Sequence, residues 1–345
     1  SPKTAIFGRV LAQKHRISGI RGAIACLIYR SYSESPIMSL AALSGRDLLS
    51  LADLSSAELL ELLELAAKLK SGELKPTCPK VLGLIFNKAS TRTRVSFSVA
   101  MYQLGGQVLD LNANVTQMGR GEPLIDTARV LDRYLDVVAI RTYAQSDLKT
   151  FADYAKMPVV NALTDLEHPC QILADLQTVR ESFEQLEGLT VTYFGDGNNV
   201  AHSLMIGCAL AGMNVRIASP PDYQPLPEVV EQTRAIAGDR SEVVITTDPK
   251  AAAEGTHVLY TDVWASMGQE DLAESRIPIF QPYQINESLL AIADPNAIVL
   301  HCLPAHRGEE ITEAVMEGAQ SRIWDEAENR LHAQKALLVA VMNAL

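Results

Sequence analysis

The sequence predicts an α/β protein of two domains, each a parallel-sheet, three-layer α/β unit, and three observations carry that expectation. The chain has 345 residues, more than one hydrophobic core usually supports and close to two domains of about 150 residues each. Short apolar runs alternate along it with helical patterns, the rhythm of βαβ units and parallel sheets. One helical stretch in the middle separates those runs into two groups.

Taken in order, Asp53 to Lys70 has capping residues at its start, Leu at helical spacing and Gly72 just beyond, and reads as an amphipathic helix. The first strand group is Val81–Phe86, Gln107–Leu111, Val137–Ile140 and Val159–Asn161. The helical stretch Pro169 to Glu184 follows, and the domain boundary is placed on it. The second group is Thr190–Phe194, Asn214–Ala218, Glu242–Thr246, His257–Thr261 and Ala297–His301. Asn329 to Met342 is helical and is expected to pack back on the first domain. The expected division is a leader at 1–37, a first domain at 38–180 joined by the C-terminal helix at 325–345, and a second domain at 181–324.

Composition removes several classes of function. With 48% hydrophobic and 21% charged residues, the chain has enough apolar surface to offset the entropy of ordering. No window of the chain approaches the roughly 18 uninterrupted apolar residues a membrane-spanning helix needs, Ala23 to Tyr29 being far too short, so no membrane partner is expected. Thirty basic against 41 acidic residues give a net charge of −11, which opposes the counterion release that draws proteins to nucleic acid. Any anionic ligand must therefore meet a local positive site. The five cysteines (Cys26, Cys78, Cys170, Cys208, Cys302) are scattered, with no C-x-x-C pair, which argues for a reducing compartment and against a disulfide framework or structural zinc. Residues 1–37 carry six Lys or Arg and a single acid, Glu34, for a net +5. That composition reads as an organellar transit peptide or as a non-native extension ahead of Met38. The expected location is the cytoplasm, or the mitochondrial matrix if the leader is a transit peptide.

The strongest local signal is Phe86-Asn87-Lys88-Ala89-Ser90-Thr91-Arg92-Thr93-Arg94-Val95-Ser96-Phe97, where an apolar strand gives way to a helix through hydroxyls and arginines. Free N–H groups and the positive end of a helix favour an anion, and Arg adds a bidentate fork for phosphate. The plainer reading is an ordinary cap by Ser90 or Thr91. Arg141 follows another apolar strand, and His168-Pro169-Cys170-Gln171 follows a strand and turn. Both fall where open α/β sheets bind ligands, although singly Arg141 reads as a surface charge and His168 as a helix cap. Histidine can polarise a carbonyl oxygen, and Gln can hold an amide-like group.

In the second half, Gly195-Asp196-Gly197-Asn198-Asn199-Val200 imitates a dinucleotide fingerprint, but Val200 stands at the third glycine and Ser219-Pro220 where a ribose-binding acid belongs. The segment reads instead as a tight turn presenting Asn199. Asp262, ahead of Ser266-Met267-Gly268, offers a carboxylate to an ammonium group or simply opens a surface loop. His301-Cys302-Leu303-Pro304 again ends a strand; such a Cys is a thiol base, a nucleophile or a small buried residue.

In this order and spacing, Ser90-Thr91-Arg92-Thr93-Arg94, His168-Pro169-Cys170-Gln171, Asp262 with Ser266-Met267-Gly268, and His301-Cys302-Leu303-Pro304 make the chain resemble the ornithine carbamoyltransferases from about Leu40 onward. The resemblance implies that Ser90, Thr91, Arg92, Thr93, Gln117 and Arg330 grip the phosphate of carbamoyl phosphate, with Arg141, His168 and Gln171 around its carbamoyl group. It implies that Asn199, Asp262, Ser266 and Met267 hold L-ornithine, with Cys302 and Leu303 beside the reacting amine and the carbamoyl group. Arg92, Arg141, His168 and Cys302 are the implied catalytic set. No metal or organic cofactor is implied, and the family's active members are trimers or multiples of trimers, with sites near subunit interfaces. Three alternatives stay open: a carbamoyltransferase for aspartate, putrescine or acetylornithine, a non-catalytic metabolite-binding homologue, and, weakened by the missing glycine and acid, a nicotinamide oxidoreductase.

Overall fold

The computed structural model describes residues 40–112, 117–265 and 273–345. Among these residues nine strands form two all-parallel sheets. The first contains β1 (Val81–Phe86), β2 (Gln107–Asn112), β3 (Val137–Arg141) and β4 (Val159–Leu163), in the order β2-β1-β3-β4. The second contains β5 (Thr190–Phe194), β6 (Asn214–Ala218), β7 (Val243–Thr246), β8 (Val258–Thr261) and β9 (Ile298–His301), in the order β7-β6-β5-β8-β9. The helices are α1 (Ser56–Ser71), α2 (Thr91–Gln103), α3 (Leu124–Leu131), α4 (Gln145–Tyr154), α5 (Pro169–Phe183), α6 (Asn199–Ala211), α7 (Pro227–Ala237), α8 (Pro249–Ala253), α9 (Ala273–Phe280), α10 (Glu287–Leu290), α11 (Glu313–Met316) and α12 (Ile323–Val341).

The central strands are largely apolar because helices cover both sheet faces, whereas the edge strand β2 is exposed or half-buried at every position. On β3, Val137 and Ala139 join the large central core while Val138 and Ile140 join a smaller core with Phe151 of α4. On β8, Val258 and Tyr260 face the central core and Leu259 faces a third cluster with Val299 and Ile311. Alternation with a period of two thus supplies two faces per sheet and three layers per unit. The central core runs unbroken from Leu82 of β1 to Val215 of β6.

Two helices tie the sheets together. α5 joins β4 to β5 and is buried at every position from Pro169 to Val179. α12 packs against α5, α1 and α2, as expected of a C-terminal helix returning to the first sheet. Its Ala336, Leu337, Leu338 and Val339 are at most 1% exposed, and each large apolar side chain so buried contributes about 1.5–3 kcal/mol. It begins at Ile323, six residues ahead of the expected Asn329. The first long helix starts at Ser56 rather than Asp53 because Ser55 caps it, accepting from Glu58 N–H at 3.2 Å while Ser55 N–H donates to the Glu58 carboxylate at 2.7 Å. Asp53 instead caps the short turn that precedes it, accepting from Ser50 N–H at 2.9 Å. No helix among the described residues is long and apolar enough to cross a membrane.

In each sheet the strand order reverses once, between β1 and β3 and between β5 and β8. Carboxyl ends of parallel strands at such a reversal form a crevice. The two crevices face each other, and many of the polar residues singled out in the sequence lie there.

Candidate active site

One cavity of about 760 Å³ opens between the sheets, within the range of small-molecule sites. From the first half it is lined by Ser90, Thr91, Arg92, Thr93, Arg141 and His168, together with Arg330 of α12. From the second it is lined by Asn199, Asp262, Cys302 and Leu303.

Ser90 caps α2, its Oγ accepting from Thr93 N–H at 3.3 Å. The plain cap and the cradle are therefore the same object: the capped helix end points at the cavity, and the hydroxyls of Thr91 and Thr93 lie in its first turn. Arg330 spans the gap, with Nη2 donating to Thr93 Oγ1 at 3.2 Å and Gln334 Oε1 at 2.9 Å, Nε to the same Gln334 oxygen at 3.1 Å, and Nη1 to Gln171 Oε1. Arg141 is the last residue of β3 and only 4% exposed, so it is no surface charge. Its Nε is buried with no partner among the described groups. Burial, then the charges of Arg330 and Arg92, pull Arg141 down to about 10, which leaves it cationic at neutral pH.

His168 stands at the start of α5 without making a side-chain cap. Its backbone N–H donates to Ser203 Oγ at 2.8 Å, and Ser203 Oγ donates in turn to Glu167 at 3.1 Å. The ring Nδ1 is buried without a partner. Burial foremost, and then Arg330, Arg141 and Arg92, hold the imidazole well below its ordinary range, so at neutral pH it meets a ligand as an uncharged ring.

In the second half, Asp262 is 7% exposed and accepts three hydrogen bonds: Cys302 Sγ at 3.0 Å, Asn198 Nδ2 at 3.0 Å and Val263 N–H at 2.8 Å. Burial and the Asp262 carboxylate push the Cys302 thiol well above its ordinary range, so it is a protonated donor rather than a thiolate. Leu303 adopts φ 58°, a conformation that non-glycine residues hold only where surroundings enforce it. Its N–H donates to His301 Nδ1 at 2.8 Å, which fixes the tautomer whose Nε2–H donates to Glu310 at 2.9 Å.

The turn Asp196-Gly197-Asn198-Asn199 needs its glycine for space. A Cβ on Gly197 would meet Pro225 N at 2.2 Å and Gln224 C at 2.5 Å. That close approach, rather than a pyrophosphate, accounts for the fingerprint-like spacing. Gly197→Ala is expected to cost on the order of 2–3 kcal/mol, read as a lowered melting temperature; a variant melting with the parent would mean the Gln224–Pro225 segment yields.

Not every predicted residue reaches the cavity. Gln171 is 1% exposed and lies behind Arg330 instead of lining it. Gln117 is exposed and absent from the lining. Ser266 and Met267 lie outside the described residues. The cavity also holds groups the sequence reading passed over: Lys88, Tyr143, Asp165, Asp196, Asn198 and His306. Lys88 pairs with Asp165 and sits 4.3 Å over the Tyr143 ring. Arg276 of α9 ties Asp196 (2.7 Å) to the Trp264 carbonyl (2.6 Å). Lys88, Asp196 and Asn198 lay inside segments already read as functional, whereas nothing local marked Tyr143, Asp165 or His306.

An anion cradle on one sheet facing an acid and thiol on the other defines a group-transfer enzyme with an anionic donor. Residues 46–181 match the family described as aspartate/ornithine carbamoyltransferase, carbamoyl-P binding domain, and residues 187–341 match its Asp/Orn binding domain. The chain belongs to the aspartate/ornithine carbamoyltransferase family and is a carbamoyltransferase. It is 72% identical over 305 residues to the ornithine carbamoyltransferase of Synechocystis sp., covering 88% of this chain and 99% of that protein. It is equally identical, at 72%, to that of Nostoc punctiforme, over 88% of this chain and 100% of the relative. Among solved structures, ornithine carbamoyltransferase from Pyrococcus furiosus superposes with a TM-score of 0.84 at 48% identity, covering 88% and 99% of the two chains. The enzyme from Gloeobacter violaceus gives 0.79 at 59% identity, over 86% and 98%.

Proposed function

We propose that the chain transfers the carbamoyl group of carbamoyl phosphate to the δ-amine of L-ornithine, giving L-citrulline and phosphate, a step of arginine metabolism. The observation that carries this reading is the polarity of the cavity: Arg92, Arg141 and Arg330 converge on one side, Asp196 and Asp262 on the other. A cationic acceptor amine suits the acidic side, and an aspartate acceptor would meet repulsion there.

In this mechanism the phosphate rests on Ser90, Thr91, Arg92, Thr93 and Arg330, at the positive end of α2. Asp262 holds the δ-ammonium and takes its proton, and the neutral amine attacks the carbamoyl carbon. An oxyanion builds on the carbonyl oxygen, where Arg92, Arg141 and the uncharged His168 ring stabilise it, the largest contribution such sites make. The C–O bond to phosphate then breaks, phosphate leaves with the bonding pair, and the extra proton on the attacking nitrogen passes to the departing phosphate. Asn199 bounds the ornithine side, its amide donating to Thr164 O at 2.7 Å. Ser266 and Met267 are proposed for the same side. The cysteine usage suits a reducing compartment: the cytoplasm, or an organellar matrix if residues 1–37 address the chain there.

The division of labour is proposed to fall on α5, with 38–180 and 325–345 serving carbamoyl phosphate and 181–324 serving ornithine. A trimer, or a multiple of trimers, is the proposed assembly. The exposed Gln117 would then act at a site shared with a neighbouring copy.

The test supplies carbamoyl phosphate with L-ornithine, L-aspartate, putrescine or N-acetylornithine and measures citrulline and phosphate. Product with ornithine alone, abolished by Arg92→Ala, is expected. Turnover with a different acceptor would overturn the ornithine half, and none with any acceptor would favour a non-catalytic binding protein.

A further inference from the structure

Beneath the cavity floor lies a buried polar cluster that meets the proposed substrates through Arg330 alone among its members. Asp175, Gln171, Tyr260, His301, Glu326 and Arg330 are each at most 3% exposed. Gln171 Nε2 donates to Asp175 Oδ1 at 2.8 Å and to Glu326 Oε1 at 2.9 Å. Tyr260 OH donates to the same Glu326 oxygen at 3.4 Å. The other, Oε2, accepts from the backbone N–H of His301 at 2.8 Å.

Glu326 therefore grips both halves of the molecule. One oxygen holds the Gln171 amide by its nitrogen, so that its carbonyl oxygen turns to Arg330 and the carbamoyl side. The other oxygen pins the end of β9, one residue before Cys302. We propose that Glu326 is a positioning residue that sets the Gln171 amide and the Cys302 strand end in one register. The inference rests on the carbamoyltransfer reading above.

Of the Glu326 partners, the Gln171 amide nitrogen and the His301 N–H can only donate, while the Tyr260 hydroxyl can turn either way. Burial raises both carboxyls, Asp175 to about 7 and Glu326 well above the carboxylate range, where the neighbouring Asp175 adds to the effect. Two adjacent buried acids hold one proton between them. With Arg330 cationic, one proton leaves the cluster neutral.

The full chain is compared with Glu326→Gln and Asp175→Asn by thermal melt, by calorimetric titration of carbamoyl phosphate alone, and by kinetics with ornithine. In Glu326→Gln an amide nitrogen must face either His301 N–H or the Gln171 amide. Carbamoyl phosphate binding is expected to weaken about tenfold, the loss of one good hydrogen bond. kcat is expected to fall on the order of 100-fold, as a misplacement of about 1 Å produces. Asp175→Asn keeps an oxygen that accepts from the Gln171 amide and is expected to stay within about threefold in both. The effect of Glu326→Gln on carbamoyl phosphate affinity is also expected to vanish in a Gln171→Ala background, which a merely structural role would not produce. Should Glu326→Gln not fold, Glu326→Asp, charged but too short to reach both partners, is expected to show the same loss. Parental affinity and kcat in the Glu326 variant overturn the proposal, as does equal damage from Asp175→Asn. A parent chain that makes no citrulline overturns the reading beneath it, a separate and prior outcome.

Discussion

Arg141→Gln is expected to lower kcat by about 10³ and, in the same protein, to raise the melting temperature. The activity follows from what the guanidinium faces: it is buried at the end of β3 with Nε unpartnered, aimed where the carbonyl oxygen gains charge. Removing one such preorganised donor typically costs 10²–10³ in kcat, and this donor carries a full charge. The stability follows from the same burial. An unpaired guanidinium beside Arg330 and Arg92 opposes folding, and the neutral amide relieves it by about 2–4 °C for each kcal/mol recovered. The sign over pH is fixed, because a base lowered to about 10 destabilises the fold wherever it is charged. The penalty is present at every pH below that value and fades only above it, so the gap in melting temperature stays flat from about pH 6 to 9. Inorganic phosphate is expected to close the gap by stabilising the parent more than the variant. A variant that melts below its parent, or keeps more than a tenth of its activity, would mean Arg141 is held by a partner the cavity does not show.

The pairing of activity loss with stability gain also marks where the sequence was legible. Buried parallel strands are continuous apolar runs and were readable as such, with errors at their ends, while the exposed edge strand β2 was readable only from Val108, Leu109 and Leu111. β4 runs on past Asn161, whose buried amide nitrogen donates to Leu49 O at 2.8 Å. The cradle, Arg141, His168, Asp262 and Cys302 were legible because polar residues at the ends of apolar strands have few structural reasons to be there. Glu326 was not, since a charged residue before a helical run reads as solvent-facing; only its meeting with Gln171, 155 positions away, reveals it as buried. α12 was begun late for the same reason, its first turn holding Asp325 and Glu326. Asp165 and Tyr143 sit on connections whose sequences have no periodicity, and which loops share a cavity is decided by strand order, which spacing along the chain does not encode.

Asp262→Asn is expected to reduce kcat/KM for ornithine by about 10³, within the range that general-base groups supply, and to leave carbamoyl phosphate affinity within about twofold, since Asp262 faces the other substrate. The amide cannot accept the proton that the δ-ammonium must lose, nor offset its charge. Cys302→Ala is expected to cost far less, about tenfold, the thiol serving as a donor that orients the carboxylate. The pH profile separates the two roles. Burial and the Asp262 carboxylate hold the thiol well above its ordinary range, so it keeps its proton across about pH 6 to 9, and the shape of the profile is expected to survive Cys302→Ala. A thiolate base would give an alkaline rise that disappears in that variant. If Cys302→Ala matched Asp262→Asn in severity, or flattened that limb, the proton would pass to sulfur. The 3.0 Å contact between Cys302 and Asp262 would then be the first stage of a relay in place of a fixed brace.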